Sequence, residues 1–297
     1  MTLPAFLNLS LEEESKLGQL QKEISPLIKD SPALQAFCTR SCYVRYLRAR
    51  HWNVQKAAKM LAATLEWRSE YKPEALTCEG LAHEGSKGRM YVLPRPDKEG
   101  RPIVVMRPRE DPNPSSNEDR IKWLVYVLEA ASELADATEP GTMTWIIDYE
   151  NYTRKASPPL KVSLQTLHIL QNHYPERLGR AVCYHPPAIF DLLWRAVWPF
   201  IDPVTYKKVV FVNKKSPEGL MGSYFHLEGL DAALGGTATL QDIFSWQQYA
   251  AQMADRDSQR LLPGAGSGRQ KQLQGKAEEA DAIQAVGVGV PVVAGPQ

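Results

Sequence analysis

Cysteine is scarce in this chain. Cys38, Cys42, Cys78 and Cys183 are the only four in 297 residues, too few and too scattered for the disulfide framework of a small secreted domain. Cys38-x-x-x-Cys42 with Cys78 and His83 is a conceivable zinc set, but no paired C-x-x-C accompanies it. Reduced, structural thiols are the better reading, and no metal is expected. Long apolar runs are missing too: no stretch approaches the roughly 20 residues of a spanning helix, and Met1 to Ser10 lacks a basic region followed by an apolar one. That predicts a cytoplasmic protein. A charge excess is also absent. Thirty-five Lys and Arg against 34 Asp and Glu leave a net charge of +1, so nucleic acid is not an expected partner and an anionic ligand must be held by a local basic cluster. G-x-S-x-G, G-x-G-x-x-G, Walker A and H-E-x-x-H are all missing. Asp148 closes a buried strand with no identifiable histidine or metal partner, and His168 and His173 are five residues apart. Neither an enzyme nor a cofactor is expected.

The patterns that are present divide the chain in three. From Ser10, with Glu13 completing a capping box, Leu11, Leu17, Leu20, Ile24, Leu27 and Ile28 recur at helical spacing, and Pro26 and Pro32 punctuate the end of this run. A second helix carries Tyr43, Val44, Tyr46 and Leu47 together with Arg45, Arg48 and Arg50. His51-Trp52 breaks it, and Asn53 caps a third helix with the stripe Ala57, Met60, Leu61, Thr64, Trp67 and Tyr71, ending near Pro73. Residues 1–79 therefore read as a helical N-terminal region.

Over 80–254 the pattern changes. Short β-branched runs, Ile103 to Met106, Met143 to Tyr149, Ala181 to Tyr184 and Val209 to Asn213, alternate with helices from about Glu118 to Ala137, capped by Asn117, and from about Pro159 to His173. Nearly continuous apolar strands separated by helices imply an α/β domain with a mostly parallel sheet. From Asp255 to the last residue, a Gly- and Pro-punctuated composition predicts a disordered tail.

After the third strand, Pro186-Pro187 precedes Phe190, Leu193, Trp194, Val197, Trp198 and Ile201 at i, i+3, i+4, i+7, i+8 and i+11, with Pro199 interrupting. A helix this apolar is either core or a lid that faces an apolar cavity on one side and a membrane interface with its tryptophans.

Several motifs, in order, resemble the CRAL-TRIO family, in particular its yeast phosphatidylinositol/phosphatidylcholine transfer branch. They are Tyr43-Val44-Arg45-Tyr46-Leu47-Arg48-Ala49-Arg50, Trp52-Asn53-Val54, Trp67-Arg68, and Asp97-Lys98-Glu99-Gly100-Arg101-Pro102-Ile103. Gln171-Asn172-His173-Tyr174-Pro175-Glu176-Arg177-Leu178-Gly179, then Pro199-Phe200-Ile201-Asp202-Pro203-Val204-Thr205 and Leu234-Gly235-Gly236, complete the match over roughly residues 40 to 250. The resemblance implies a sheet that floors a pocket for one phospholipid, most naturally phosphatidylinositol. It makes the helix from Asp191 to Ile201 a gate that also touches the membrane, and assigns headgroup binding to Arg50, Glu176, Thr205 and Lys208.

It further implies lipid exchange at a transiently visited membrane, of the Golgi or endoplasmic reticulum, with a lipid kinase or other lipid enzyme as a partner. The chain departs from the pattern where a family lysine is His51, and where the hydroxyls that read a choline lipid are replaced by Met143 and Trp145, so phosphatidylcholine is not the expected second ligand. Tocopherol, retinoid or sterol-like ligands, carried by relatives on the same fold, are the alternative, followed by a non-catalytic docking module.

Overall fold

The computed structural model describes residues 7–109, 111, 113–138, 141–156, 158–187, 190, 207–213, 216 and 219–261. Four helices open the chain. In α1 (Leu11–Ile28) the Ser10 hydroxyl accepts from the Glu13 amide at 3.3 Å and the Glu13 carboxylate accepts from the Ser10 amide at 2.8 Å, the expected capping box. Pro26 does not end α1, which runs on for two residues beyond it to Ile28. Pro32 opens α2 (Pro32–Phe37), where its missing N–H is harmless. Thr39 caps α3 (Arg40–Arg48). His51 and Trp52, both at positive φ, then turn the chain so that Asn53 can cap α4 (Val54–Tyr71) with a bond from the Lys56 amide at 2.9 Å. Leu20, Ile24, Tyr46, Leu47 and Leu61 meet in a core of their own.

A short helix, α5 (Ala82–Gly85), leads into a five-stranded sheet in the order β1 (Met90–Val92), β2 (Ile103–Met106), β3 (Met143–Asp148), β4 (Leu178–Tyr184), β5 (Val209–Val212). β2 to β5 are parallel and β1 is antiparallel to β2. Three residues are too few to show an alternation, which is why β1 escapes a pattern search. α6 (Asn117–Asp136) crosses from β2 to β3 and α7 (Leu160–His173) from β3 to β4, and the two helices touch. The cap of α6 is Ser116 rather than Asn117.

The register sorts the strands into two chemically different faces. Met90, Met106, Ile147, Cys183 and Phe211 stand opposite one another in one row, and Val92, Val104, Trp145, Ala181 and Val209 in the next. The opposite face sets Thr144, Asp148 and Arg180 among the fully buried Tyr91, Val105, Ile146 and Val182. Thr144 donates to Asp97 at 2.7 Å, and the fully buried Asp148 accepts from Arg107 at 3.0 Å.

The segment after β5 forms α8 (Leu220–Tyr224), α9 (Leu240–Ile243) and α10 (Trp246–Leu261). α10 corrects one boundary: residues 255 to 261, expected to begin the tail, are helical. Asp257 is buried and accepts from the Cys78 amide at 2.7 Å and the Tyr126 hydroxyl at 3.1 Å, and Arg256 forks onto Glu133 with two bonds of 2.9 Å. These partners lie far away in sequence, so composition could not anticipate them. The rest of the expected tail, 262–297, is outside the described residues.

The helical region is tied to the sheet domain by buried polar contacts. Arg68 forks onto Glu129 with two bonds of 2.9 Å, and the Tyr174 hydroxyl donates to the same carboxylate at 2.7 Å. Burial opposes the Glu129 charge, but Arg68 overrules it and holds the carboxyl at about 2. Next to this tie, His173 is buried with Nδ1 3.0 Å from the Thr64 hydroxyl and its ring 4.2 Å from that of Trp67. Burial, helped by His168 and Arg68, lowers its pKa from 6.5 to about 4.

A folded-state pKa below the unfolded one means that the unfolded chain takes up more protons between those two values. The contribution of neutral His173 is therefore complete above pH 6.5 and is lost as pH falls toward 4, by roughly 3 kcal/mol at most. Urea unfolding midpoints should fall between about pH 7 and about pH 5 in the wild type and less steeply in His173→Asn. Equal slopes would refute the assignment.

Candidate functional site

Two sequence-predicted headgroup residues stand at the N-terminal edge of the parallel strands. Glu176 lies in the loop from α7 to β4, exposed and at φ 56, a left-handed conformation that a non-glycine residue adopts only when its surroundings hold it there. Lys208 immediately precedes β5. It is half-buried, and its carbonyl accepts from the Ala181 amide at 2.9 Å. Because Ala181 faces Val209, Lys208 stands beside Arg180. Among the described residues neither Glu176 nor Lys208 makes an ion pair, whereas the neighbouring Arg180 reaches two carboxylates.

Arg50 follows α3, and it is α3 that contacts the loop from α7 to β4. The Tyr46 hydroxyl donates to the His173 carbonyl at 3.3 Å and Arg45 Nη1 to the Pro175 carbonyl at 3.5 Å, so the end of α3 docks on the loop that carries Glu176. Arg50 follows one turn beyond Tyr46, half-buried, with Nη1 bonded at 2.8 Å to the Ala49 carbonyl. Its exposed neighbour His51 stands where the family pattern has lysine. Thr205 lies outside the described residues, as do Leu193, Trp194, Val197, Trp198 and Ile201 of the expected gate. Phe190 is described: its ring lies 5.0 Å from that of Tyr149 and 5.9 Å from that of Phe211. Phe190 thus stands against the all-apolar face of the sheet, beside Phe211.

Beside Lys208 is a network that the sequence did not reveal. Arg180 donates to Glu99 at 2.5 Å, lies 3.6 Å from Asp97 and covers the Tyr224 ring at 4.2 Å, while Arg101 also pairs with Glu99 at 2.5 Å. Hydrogen bonds from Arg101 and Arg180 hold the Glu99 carboxyl at about 2. Asp97 to Arg101 reads as a turn in the sequence. The one available signal was Arg180 interrupting an otherwise apolar strand. The conceivable zinc set does not assemble, since Cys42 packs in the helical core and Cys78 in the sheet core, and no metal-binding group is found among the described residues.

A sequence model of the CRAL/TRIO domain matches residues 86–236, and one of the CRAL/TRIO N-terminal domain matches residues 16–63. The chain belongs to the CRAL/TRIO family. It is 28% identical over 274 residues to a CRAL-TRIO domain-containing protein of Schizosaccharomyces pombe, covering 87% of this chain and 26% of that protein. It is 32% identical over 186 residues to the phosphatidylinositol transfer protein PDR17 of Saccharomyces cerevisiae, covering 58% of this chain and 52% of that one. Among solved structures, Sfh5 superposes with a TM-score of 0.63 at 16% identity, over 84% of this chain and 98% of that one, a likeness of fold. The chain thus spans between a quarter and about half of the two curated relatives. The CRAL/TRIO sheet, the helices over it and the preceding helical region are as the sequence led one to expect. No helix among the described residues is long and apolar enough to cross a membrane.

Proposed function

We propose that this CRAL/TRIO protein holds one phospholipid, phosphatidylinositol by preference, and exchanges it between membranes in the cytoplasm without catalysing a reaction. The observation that carries the reading is the sheet face made of two rows of apolar side chains, on which Met106, Ile147 and Phe211 remain only partly buried. Such a face is a floor for acyl chains. Keeping a diacyl lipid out of water is worth on the order of 20 kcal/mol at about 0.8 kcal/mol per CH₂, yet a bilayer offers the same gain, so the pocket holds lipid tails without selecting among them.

Selection then falls to the headgroup. Arg50, Thr205 and Lys208 have the donors that a phosphodiester needs, and Glu176 can accept from inositol hydroxyls. Each buried polar group left unpaired costs roughly 1–3 kcal/mol. Met143 and Trp145, both buried, bring no hydroxyl to a second headgroup, which argues against phosphatidylcholine. The similarity to PDR17, named as a phosphatidylinositol transfer protein, supports the same ligand. The run from Phe190 to Ile201 acts as the gate, opening at a membrane and closing in water, and an enzyme that modifies the lipid is the natural recipient of an exposed headgroup.

Native mass spectrometry of protein purified from cells, with extraction of the bound lipid, tests this. One phosphatidylinositol per chain is expected. A tocopherol, retinoid or sterol would move the ligand class, and an empty protein would sink the proposal.

A further inference from the structure

The other end of the sheet holds a cavity of about 260 Å³ that the lipid reading does not use. β1 runs antiparallel to β2, so the residues entering β1 meet those leaving β2, and the Arg107 amide donates to the Arg89 carbonyl at 2.7 Å. Lys87, Arg89, Arg107 and Arg109 line the cavity together with Leu240 and Phe244. Gly88, at φ +62, passes so near the Phe244 ring that a Cβ there would lie 2.9 Å from it.

The charges are paired. Arg107, 3% exposed, is fixed by Asp148 at 3.0 Å, Asp231 at 2.5 Å and the Tyr91 hydroxyl at 3.0 Å. Lys87 is fixed by Asp111 at 2.8 Å and Glu84 at 3.2 Å. The side chains of these four acids are at most 9% exposed, and none of them lines the cavity. The four cations thus line the cavity, while the acids paired with them do not.

Among the described residues four acids balance the four cations, so an anion would be held by directed donors rather than by a field. Arg89 uses Nη2 for Glu84 at 2.8 Å and Asp111 at 3.0 Å, and Arg109 uses Nη2 for Asp148 at 3.1 Å. Among the described residues, Nη1 of each has no partner. Two guanidinium edges with spare N–H groups match the oxygens of a phosphate. The cavity is smaller than the 300–1,000 Å³ or so of most small-molecule pockets, and it lies outside the carboxyl ends of parallel strands, where open α/β sheets bind ligands.

We propose that this cavity is a second binding site, for a phosphate-bearing anion, independent of the headgroup residues at the opposite edge of the sheet. The phosphate can come free in solution or as the phosphomonoester of a membrane lipid. Arg109 is the residue to change, because it is the most exposed of the four and holds no fold-determining contact alone.

Calorimetric titration of the full chain with inorganic phosphate, and flotation with phosphatidylcholine vesicles with or without phosphatidic acid, would be compared for wild type, Arg109→Gln, Arg89→Gln and Lys208→Gln. Saturable phosphate binding is expected, weakened about tenfold or more by Arg109→Gln or Arg89→Gln and untouched by Lys208→Gln. Recruitment to phosphatidic acid vesicles with the same sensitivity assigns the source to lipid, and phosphate binding without recruitment assigns it to the free anion. No saturable binding by wild type, or binding that Lys208→Gln removes and Arg109→Gln spares, overturns the proposal. Because Lys208→Gln reports on the headgroup residues separately, the two sites fail or stand independently.

Discussion

Protein carrying Lys208→Ala together with Thr205→Ala is expected to fold as the wild type does and to lose phosphatidylinositol transfer by about two orders of magnitude. Lys208 makes no ion pair among the described residues and contributes only its carbonyl to the sheet, and alanine keeps that carbonyl. The fold should therefore lose less than about 0.5 kcal/mol from this position. The bound lipid loses far more: two donors to a desolvated phosphodiester, at about 1.5–3 kcal/mol for each charge-assisted bond, correspond to a hundredfold or more at about 1.4 kcal/mol per decade. Transfer of labelled phosphatidylinositol between vesicles measures the loss, and the urea midpoint checks the fold. Undiminished transfer would remove both residues from the site. A loss shared equally by lipids without inositol would mean that the pocket, rather than headgroup reading, had been damaged.

The largest effect on stability should come from Arg107→Ala. This side chain spends Nε on Asp148, Nη1 on the Tyr91 hydroxyl and Nη2 on Asp231, and both carboxylates are almost fully buried. Truncation leaves two negative charges without solvent. Among the described residues only Arg109, at 3.1 Å from Asp148, remains to answer one of them. Breaking a buried pair from one side costs about 3–5 kcal/mol, a large part of the 5–15 kcal/mol or so that holds a domain folded. Arg107→Lys should recover little, because one ammonium cannot serve three partners in a fixed fork. Chemical denaturation gives the answer directly, and a loss below about 1 kcal/mol would show that water or rearrangement supplies the missing charge.

These two predictions concern residues of opposite legibility. Lys208 was visible in the sequence through its place after Thr205 in a family motif, although periodicity alone said only that a basic residue preceded a strand. Asp148 was visible as a buried acid at a strand end without a partner. Its partner follows a strand 41 residues earlier, and a pairing over that separation leaves no local pattern to read. The same holds for Arg180 with Glu99, for Arg68 with Glu129, and for Asp257, which turned an expected piece of tail into the last turns of a helix.

The sequence by itself determined the features that depend on neighbours along the chain. Caps at Ser10 and Asn53, the helical stripes of α1, α4, α6 and α7, and the β-branched runs of four strands are local contests between backbone conformations, and each was decided within a few residues. Ordered motifs then carried the family. Tertiary structure alone decided the features that depend on register and on contacts between distant segments: the antiparallel β1, the division of the sheet into an all-apolar face and one that also carries Thr144, Asp148 and Arg180, and the docking of α3 on the loop that carries Glu176. It also decided the pairing of four cations with four acids at the far edge. Cross-strand register is set by packing on both faces at once, and a buried charge is tolerated only where the fold brings its partner, so neither could be read before the chain was folded.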